Sequence, residues 1–157
     1  MTTSRTSRRR TKGSSSMPPN LVVIVTDDQR ADTLHPSIMP QTWRLLVEGG
    51  TRFVNAFTTT ALCGPARANF LTGKRPAQHG ISTNAAAVPF VGPAGDQDTI
   101  VTRLTAAGYR CGLMGKYLNG YFNQGPPNVP TWYFPPGWHT FAAFTADASL
   151  YQNYSLV

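Results

Sequence analysis

Five consecutive aliphatic residues, Leu21-Val22-Val23-Ile24-Val25, constrain this chain more than any other feature. β-Branched side chains lose rotamer freedom in a helix and pack well on a pleated surface. An unbroken run, with no polar alternation, reads as a strand buried on both faces, and hence as part of a parallel sheet covered by helices. The run stops at Thr26-Asp27-Asp28-Gln29, so two carboxylates emerge at the carboxyl end of the predicted strand. In open α/β sheets that edge is where ligands bind.

The remaining elements fit the same class. Pro40 opens a predicted helix over residues 40–50, with Trp43, Leu46 and Val47 on one face and Gly49-Gly50 as its stop. Residues 51–57 alternate β-branched and aromatic side chains and read as a short strand. Cys63-Gly64-Pro65 leads into a helix over residues 66–72, ended by Gly73. Asp98 is positioned to cap another helix, with Ile100, Val101 and Leu104 inward and Gly108 as the stop. Residues 109–114 form a second apolar strand that ends at Gly115-Lys116. Beyond Asn119 the chain is aromatic and proline-rich, from Tyr121 to Trp138, and reads as loop whose rings pack in a core or interface. The order strand, helix, strand, helix, helix, strand predicts an α/β sandwich with a mostly parallel sheet flanked by helices. Three strands are few for such a sheet. The expectation is therefore the truncated front portion of a larger domain.

Charge does not make this a nucleic-acid binder. The net charge is +7, but Arg5, Arg8, Arg9, Arg10 and Lys12 supply five of the 14 basic residues ahead of the first acid, Asp27. A Ser/Thr/Arg-rich segment of this kind cannot bury enough apolar surface to fold, so residues 1–19 are expected to be a disordered basic tail and residues 20–157 the folded part. Met17 is an alternative start. No run approaches the roughly 18 apolar residues of a membrane span. With no apolar segment behind the basic residues, the chain as written is expected in the cytoplasm, and export follows only if the start is misread. Cys63 and Cys111 make no disulfide framework, and Cys111, within an apolar run, reads as an inert packing thiol.

Asp27-Asp28, the segment from Cys63 to Arg67, and Lys116 stand at strand or loop ends where they can meet. Adjacent carboxylates fit a helix cap or a metal site. Oxygen ligands without a nearby histidine favour a hard ion, Ca²⁺ before Mg²⁺. Cys63 lies just ahead of a helix N-terminus, where backbone amides and the helix dipole favour an anion, and Arg67 is one turn along.

Cys63-Gly64-Pro65-Ala66-Arg67, followed by Ala68-Asn69-Phe70-Leu71-Thr72-Gly73, resembles the signature of the type I sulfatases of the alkaline-phosphatase-like superfamily. Residues 20–28 resemble that family's opening strand with its first two metal-binding aspartates, and residues 73–80 the segment after the signature helix. Gly115-Lys116-Tyr117-Leu118-Asn119, Pro135-Pro136-Gly137-Trp138 and residues 151–156 resemble the N-acetylglucosamine-6-sulfatase branch. The resemblance covers residues 20–157, about the first third of a typical member.

The resemblance implies a sulfuric ester hydrolase of alkaline-phosphatase-like α/β fold acting on sulfated sugars. Cys63 would be converted to formylglycine by a formylglycine-generating enzyme recognising residues 63–67. A hydrated aldehyde carries two hydroxyls on one carbon: one attacks sulfur and displaces the alcohol, and deprotonation of the other expels sulfate and restores the aldehyde. Asp27, Asp28 and the modified Cys63 would bind Ca²⁺, Arg67 would hold the formylglycine, and Lys116 would contact sulfate oxygens. Asn119 and His79 are weaker substrate-binding candidates, and for His79 a backbone-bonding role is preferred. Leu118 replaces a histidine many sulfatases carry, a departure shared by the N-acetylglucosamine-6-sulfatase branch. The family's remaining metal and leaving-group ligands have no counterpart here, so the chain alone is expected to have little or no activity. The competing readings are a formylglycine-dependent phosphoester or phosphonate hydrolase and a non-catalytic remnant.

Overall fold

A computed structural model describes residues 17–85, 95–119 and 134–144. Most of the basic tail, the rings from Tyr121 to Tyr133 and residues 151–156 lie outside the described residues. A short 3-10 turn, Ala31–Thr33, precedes helix α1 (Pro40–Thr42), which runs directly into a π-helical turn, Trp43–Val47. Helix α2 (Cys63–Thr72), helix α3 (Pro76–His79) and helix α4 (Ile100–Ala106) follow. Strand β1 (Cys111–Gly115) then pairs in parallel with strand β2 (Trp138–Ala143), from Cys111 beside Trp138 to Gly115 beside Ala143. The α/β class and the parallel pairing expected from the sequence are both present.

The core lies between this sheet and the helices. Ala68 and Leu71 of α2, Val101 of α4, Ala143 of β2, and Ile81, Tyr117 and Leu118 from the connections are all buried. Cys111, Leu113, Trp138 and Phe141 pack against them, and the Phe141 ring stands 5.3 Å from both Tyr117 and Phe134 in edge-on contacts. Trp138 thus packs as the default for an aromatic-rich segment predicts, whereas Phe134 meets the Phe141 ring but stays 51% exposed. Cys111 is part of the same packing layer, as read from its apolar neighbours.

Four local expectations are corrected. Leu21 to Val25 carries no strand pairing among the described residues, and its side chains are 56–84% exposed. Residues 51–57 likewise form no strand, and Phe57 is 92% exposed. Both segments have strand composition, but a strand is stabilised only when a neighbouring backbone takes its N–H and C=O groups and a layer covers its side chains. The second correction is β2, which lies in sequence that reads as loop. Its two alanines are poor strand formers, and its pairing with β1 overrides that weak local preference. Third, Thr99, not Asp98, caps α4: its side chain accepts from Thr102 N while Thr102 Oγ1 serves the Thr99 backbone. Asp98 instead pairs with Arg103 at 2.8 Å and Lys74 at 3.6 Å, and these cations hold its carboxyl below the ordinary range. Fourth, Val101 of the predicted apolar face is buried and Leu104 half-buried, but Ile100 is exposed.

Two glycines carry structural weight. Gly73 ends α2 in the left-handed conformation at φ 67°, which a Cβ would penalise. Gly137 (φ 86°) lets the chain entering β2 touch α4: a Cβ there would stand 3.0 Å from Thr102 N and Cα. Thr105 Oγ1 donates to the Gly137 carbonyl at 2.7 Å, fixing the same approach.

Candidate functional site

The site assembles where three chain segments meet, and the chemistry of each explains its placement. Asp27 and Asp28 follow the apolar run. In an extended chain successive side chains point to opposite sides. Asp28 breaks that alternation by adopting a left-handed backbone (φ 51°), a conformation Asp tolerates better than most residues. The second segment is the start of α2, which begins at Cys63 itself, three residues earlier than the sequence predicts. The early start suits Pro65, which sits in the first turn where a missing N–H costs nothing. The third is the exit from β1, where Lys116 leaves the strand after Gly115, as the sequence pattern predicts.

Asp27 lies at the centre of these segments. Its Oδ1 stands 3.4 Å from Cys63 Sγ and 3.5 Å from an Arg67 guanidinium nitrogen, and its Oδ2 accepts from Lys116 Nζ at 2.9 Å. Arg67 also donates to the Lys116 backbone carbonyl at 2.8 Å, so one guanidinium ties α2 to both other segments. The two cations are largely enclosed, with side chains 15% (Arg67) and 12% (Lys116) exposed. Lys116 therefore turns inward, not along the surface as a strand-end lysine commonly does.

Burial alone would raise the Asp27 pKa. The hydrogen bonds from Lys116 and Cys63, with the charges of Lys116 and Arg67, outweigh it and hold the carboxyl below its ordinary value. For Lys116, burial acts to lower the pKa, but bonding to Asp27 and Cys63 prevails and raises it. Both groups are charged across the neutral range.

One ligand atom each of Asp27, Asp28 and Cys63 lies within 4.8 Å of the other two. Oxygen ligands of one calcium ion, each at roughly 2.3–2.6 Å, stand at most about 4.6–5.2 Å apart, so the spacing admits a single cation, with the two carboxylates as its oxygen donors and the Cys63 thiol, a soft ligand, as the poor match for a hard ion.

Of the other two candidates, His79 takes its hydrogen bonds outside this cluster. His79, at the end of α3, accepts from Ile81 N at Nδ1 (3.0 Å) and meets Asn69 Oδ1 through Nε2 (2.6 Å). Desolvation, assisted by the charge of Lys74, lowers its pKa, so the ring is neutral at pH 7. Rotating the Asn69 amide would bring its nitrogen to the carbonyls of Lys74 and Pro65. That rotation would also make both nitrogens of a neutral imidazole acceptors, which one lone pair does not allow, so Asn69 keeps its carbonyl toward His79. Its nitrogen donates to Thr59 Oγ1 at 2.6 Å. Asn119 is half-buried behind the buried pair Tyr117 and Leu118.

Sequence reading overlooked Asn84, whose side-chain oxygen accepts from Gly64 N at 2.9 Å. The signal appears only once the helix is seen to begin at Cys63. Leu62 at the N-cap of α2 has no side-chain acceptor, so an acceptor from elsewhere is required. The sequence also overstated the anion-binding amides here: Gly64 N–H is taken and Pro65 has none.

The Sulfatase family profile matches residues 19–156. The chain belongs to the sulfatase family. It is 39% identical over 140 residues to an extracellular sulfatase SULF-1 homolog of Drosophila melanogaster, covering 88% of this chain and 12% of the fly protein. It is 33% identical over 144 residues to the human N-acetylglucosamine-6-sulfatase, covering 88% of this chain and 25% of that one. Human arylsulfatase A is 31% identical over 150 residues, covering 87% and 27%. The chain thus spans 12–27% of the length of these relatives. No solved structure matches. Family membership and its alkaline-phosphatase-like α/β class bear out the resemblance read from the signature at Cys63. No helix among the described residues of this sulfatase-family chain is long and apolar enough to cross a membrane.

Proposed function

We propose that this chain carries the nucleophile and the first cation ligands of a sulfate-ester hydrolase acting on sulfated sugars, with Cys63 converted to formylglycine. The observation that carries this reading is the convergence of Asp27, Asp28 and Cys63 donors within 4.8 Å, beside two enclosed cations. Asp27, Asp28 and the modified Cys63 would hold a divalent ion, Ca²⁺ by its oxygen preference, which would supply Lewis-acid polarisation of the ester and favour an ionised nucleophile.

The chain's own residues perform the rest. Arg67, fixed by the Lys116 carbonyl, orients residue 63 and keeps positive charge beside it. Lys116 stays protonated because Asp27 faces it, and its ammonium is placed to bind sulfate oxygens as charge builds on them. Asp27 holds both cations in register. His79 supports the helix through Asn69 and the Ile81 amide, and Asn119, three residues past Lys116, is the weaker substrate-contact candidate. The modifying partner is a formylglycine-generating enzyme that reads residues 63–67. The names of the fly and human relatives support an extracellular amino-sugar sulfate as the substrate class.

Mass spectrometry of the peptide containing Cys63, after co-expression with a formylglycine-generating enzyme, tests the first step. Complete conversion to the aldehyde is expected, and an unmodified thiol refutes the mechanism. Turnover of an aryl sulfate over an aryl phosphate tests the reaction class, and a preference for phosphate would reassign it.

A further inference from the structure

Helix α2 presents Cys63 and Arg67, yet its N-terminus has no cap of its own. The N-cap residue is Leu62, and the first intrahelical bond runs from Ala66 N to the Leu62 carbonyl at 2.9 Å. Pro65 has no N–H, leaving the amides of Cys63 and Gly64 to be satisfied. Buried Gly64 gives its amide to Asn84 Oδ1, from a residue 20 positions away. Local caps usually serve the second or third amide of a helix, and Gly64 is the second. Asn84 thus does, through tertiary contact, what Ser, Thr, Asp or Asn would do at position 62.

The loop bearing Asn84 is itself fastened. Ile81 is fully buried, and its amide donates to His79 Nδ1, while the far side of that ring meets Asn69 on α2. The same connection therefore grips α2 at Gly64 and again at Asn69. We propose that Asn84 is a positioning residue that holds the first turn of α2, and with it Cys63, in place against Asp27, with His79 anchoring the loop that delivers it. This requires no particular ester and does not depend on the sulfatase reaction, so it stands or falls separately from the proposed function.

Amide hydrogen exchange on the full chain tests it. In the unsubstituted chain Gly64 is expected to be protected although it lies in a first helical turn, and fast exchange there overturns the proposal outright. Asn84→Leu keeps the volume and removes the acceptor. Gly64 should then exchange about five- to tenfold faster, the size of a lost cap, with Leu71 unchanged as a check on the fold. Asn84→Asp retains an acceptor and should restore protection. Neutral-reagent alkylation supplies the second readout, with Cys111 as the internal reference. The Cys63:Cys111 rate ratio should rise several-fold in Asn84→Leu and return in Asn84→Asp. Unchanged Gly64 exchange or an unchanged ratio in Asn84→Leu overturns the assignment. Should that variant not fold, Asn84→Ala carries the same comparison without added bulk.

Discussion

Substituting Asp27 by asparagine gives the sharpest test of how this site is held together. The amide keeps the shape but removes the charge facing Lys116 at 2.9 Å and Arg67 at 3.5 Å. Exposed ion pairs contribute about 0.2–1 kcal/mol, whereas stranding a buried charge costs about 3–5 kcal/mol. Asp27 is one-third exposed but both cations are mostly enclosed, so an intermediate loss of about 2 kcal/mol is expected. For a chain of this size that is a fall in Tm of about 4–8 °C, read by far-UV circular dichroism in low-salt buffer. The pH dependence gives a second signature. The folded pKa of Asp27 lies below the ordinary 3.8, so its stabilisation is present above that value and is lost as pH falls through the lowered folded pKa. Lys116 has a folded pKa above the ordinary 10.5, so its stabilisation is full below that value and disappears as pH rises through the raised one. Asp27→Asn should flatten both limbs. A Tm within 1 °C of the parent, by the stated scaling less than about 0.5 kcal/mol, would refute the reasoning that Asp27 neutralises two enclosed cations.

Three further outcomes are expected. Arg67→Lys loses the fork that reaches the Lys116 carbonyl and Asp27 together, and should lower the turnover of a modified, active sulfatase by about 10- to 100-fold, in line with 1.4–2.8 kcal/mol of lost interaction. Gly137→Ala places a Cβ 3.0 Å from Thr102 backbone at positive φ, and should destabilise the chain by more than about 1 kcal/mol in urea unfolding, with the m-value unchanged. Calcium at one hundred times its dissociation constant should stabilise the parent by about 2.7 kcal/mol, and Asp28→Asn should abolish most of that shift; equal shifts in both would remove Asp28 from the ligand set.

Legibility followed locality. Helix α2, its Gly73 stop and the Cys63–Arg67 spacing were readable because one turn of backbone and one left-handed glycine set them. Strand β1 and the lysine at its exit were readable from an apolar run closed by Gly115, and there the chain does supply a partner, β2. Leu21 to Val25 misled because aliphatic β-branched composition encodes a preference for a strand environment but supplies no partner for it. Strand β2 misled in the opposite sense: alanines and a preceding diproline hide an element that pairing with β1 creates.

The amino-acid order by itself determined the chemistry on offer: paired carboxylates, a thiol one turn before an arginine, and a lysine after a strand, each in a locally specified setting. The tertiary structure alone decided their assembly. Asp27 meets Lys116 across 89 positions, and Asn84 reaches Gly64 across 20. Contacts of that separation draw their energy from burial and charge neutralisation that exist only once the chain has closed, which no window of neighbouring residues contains.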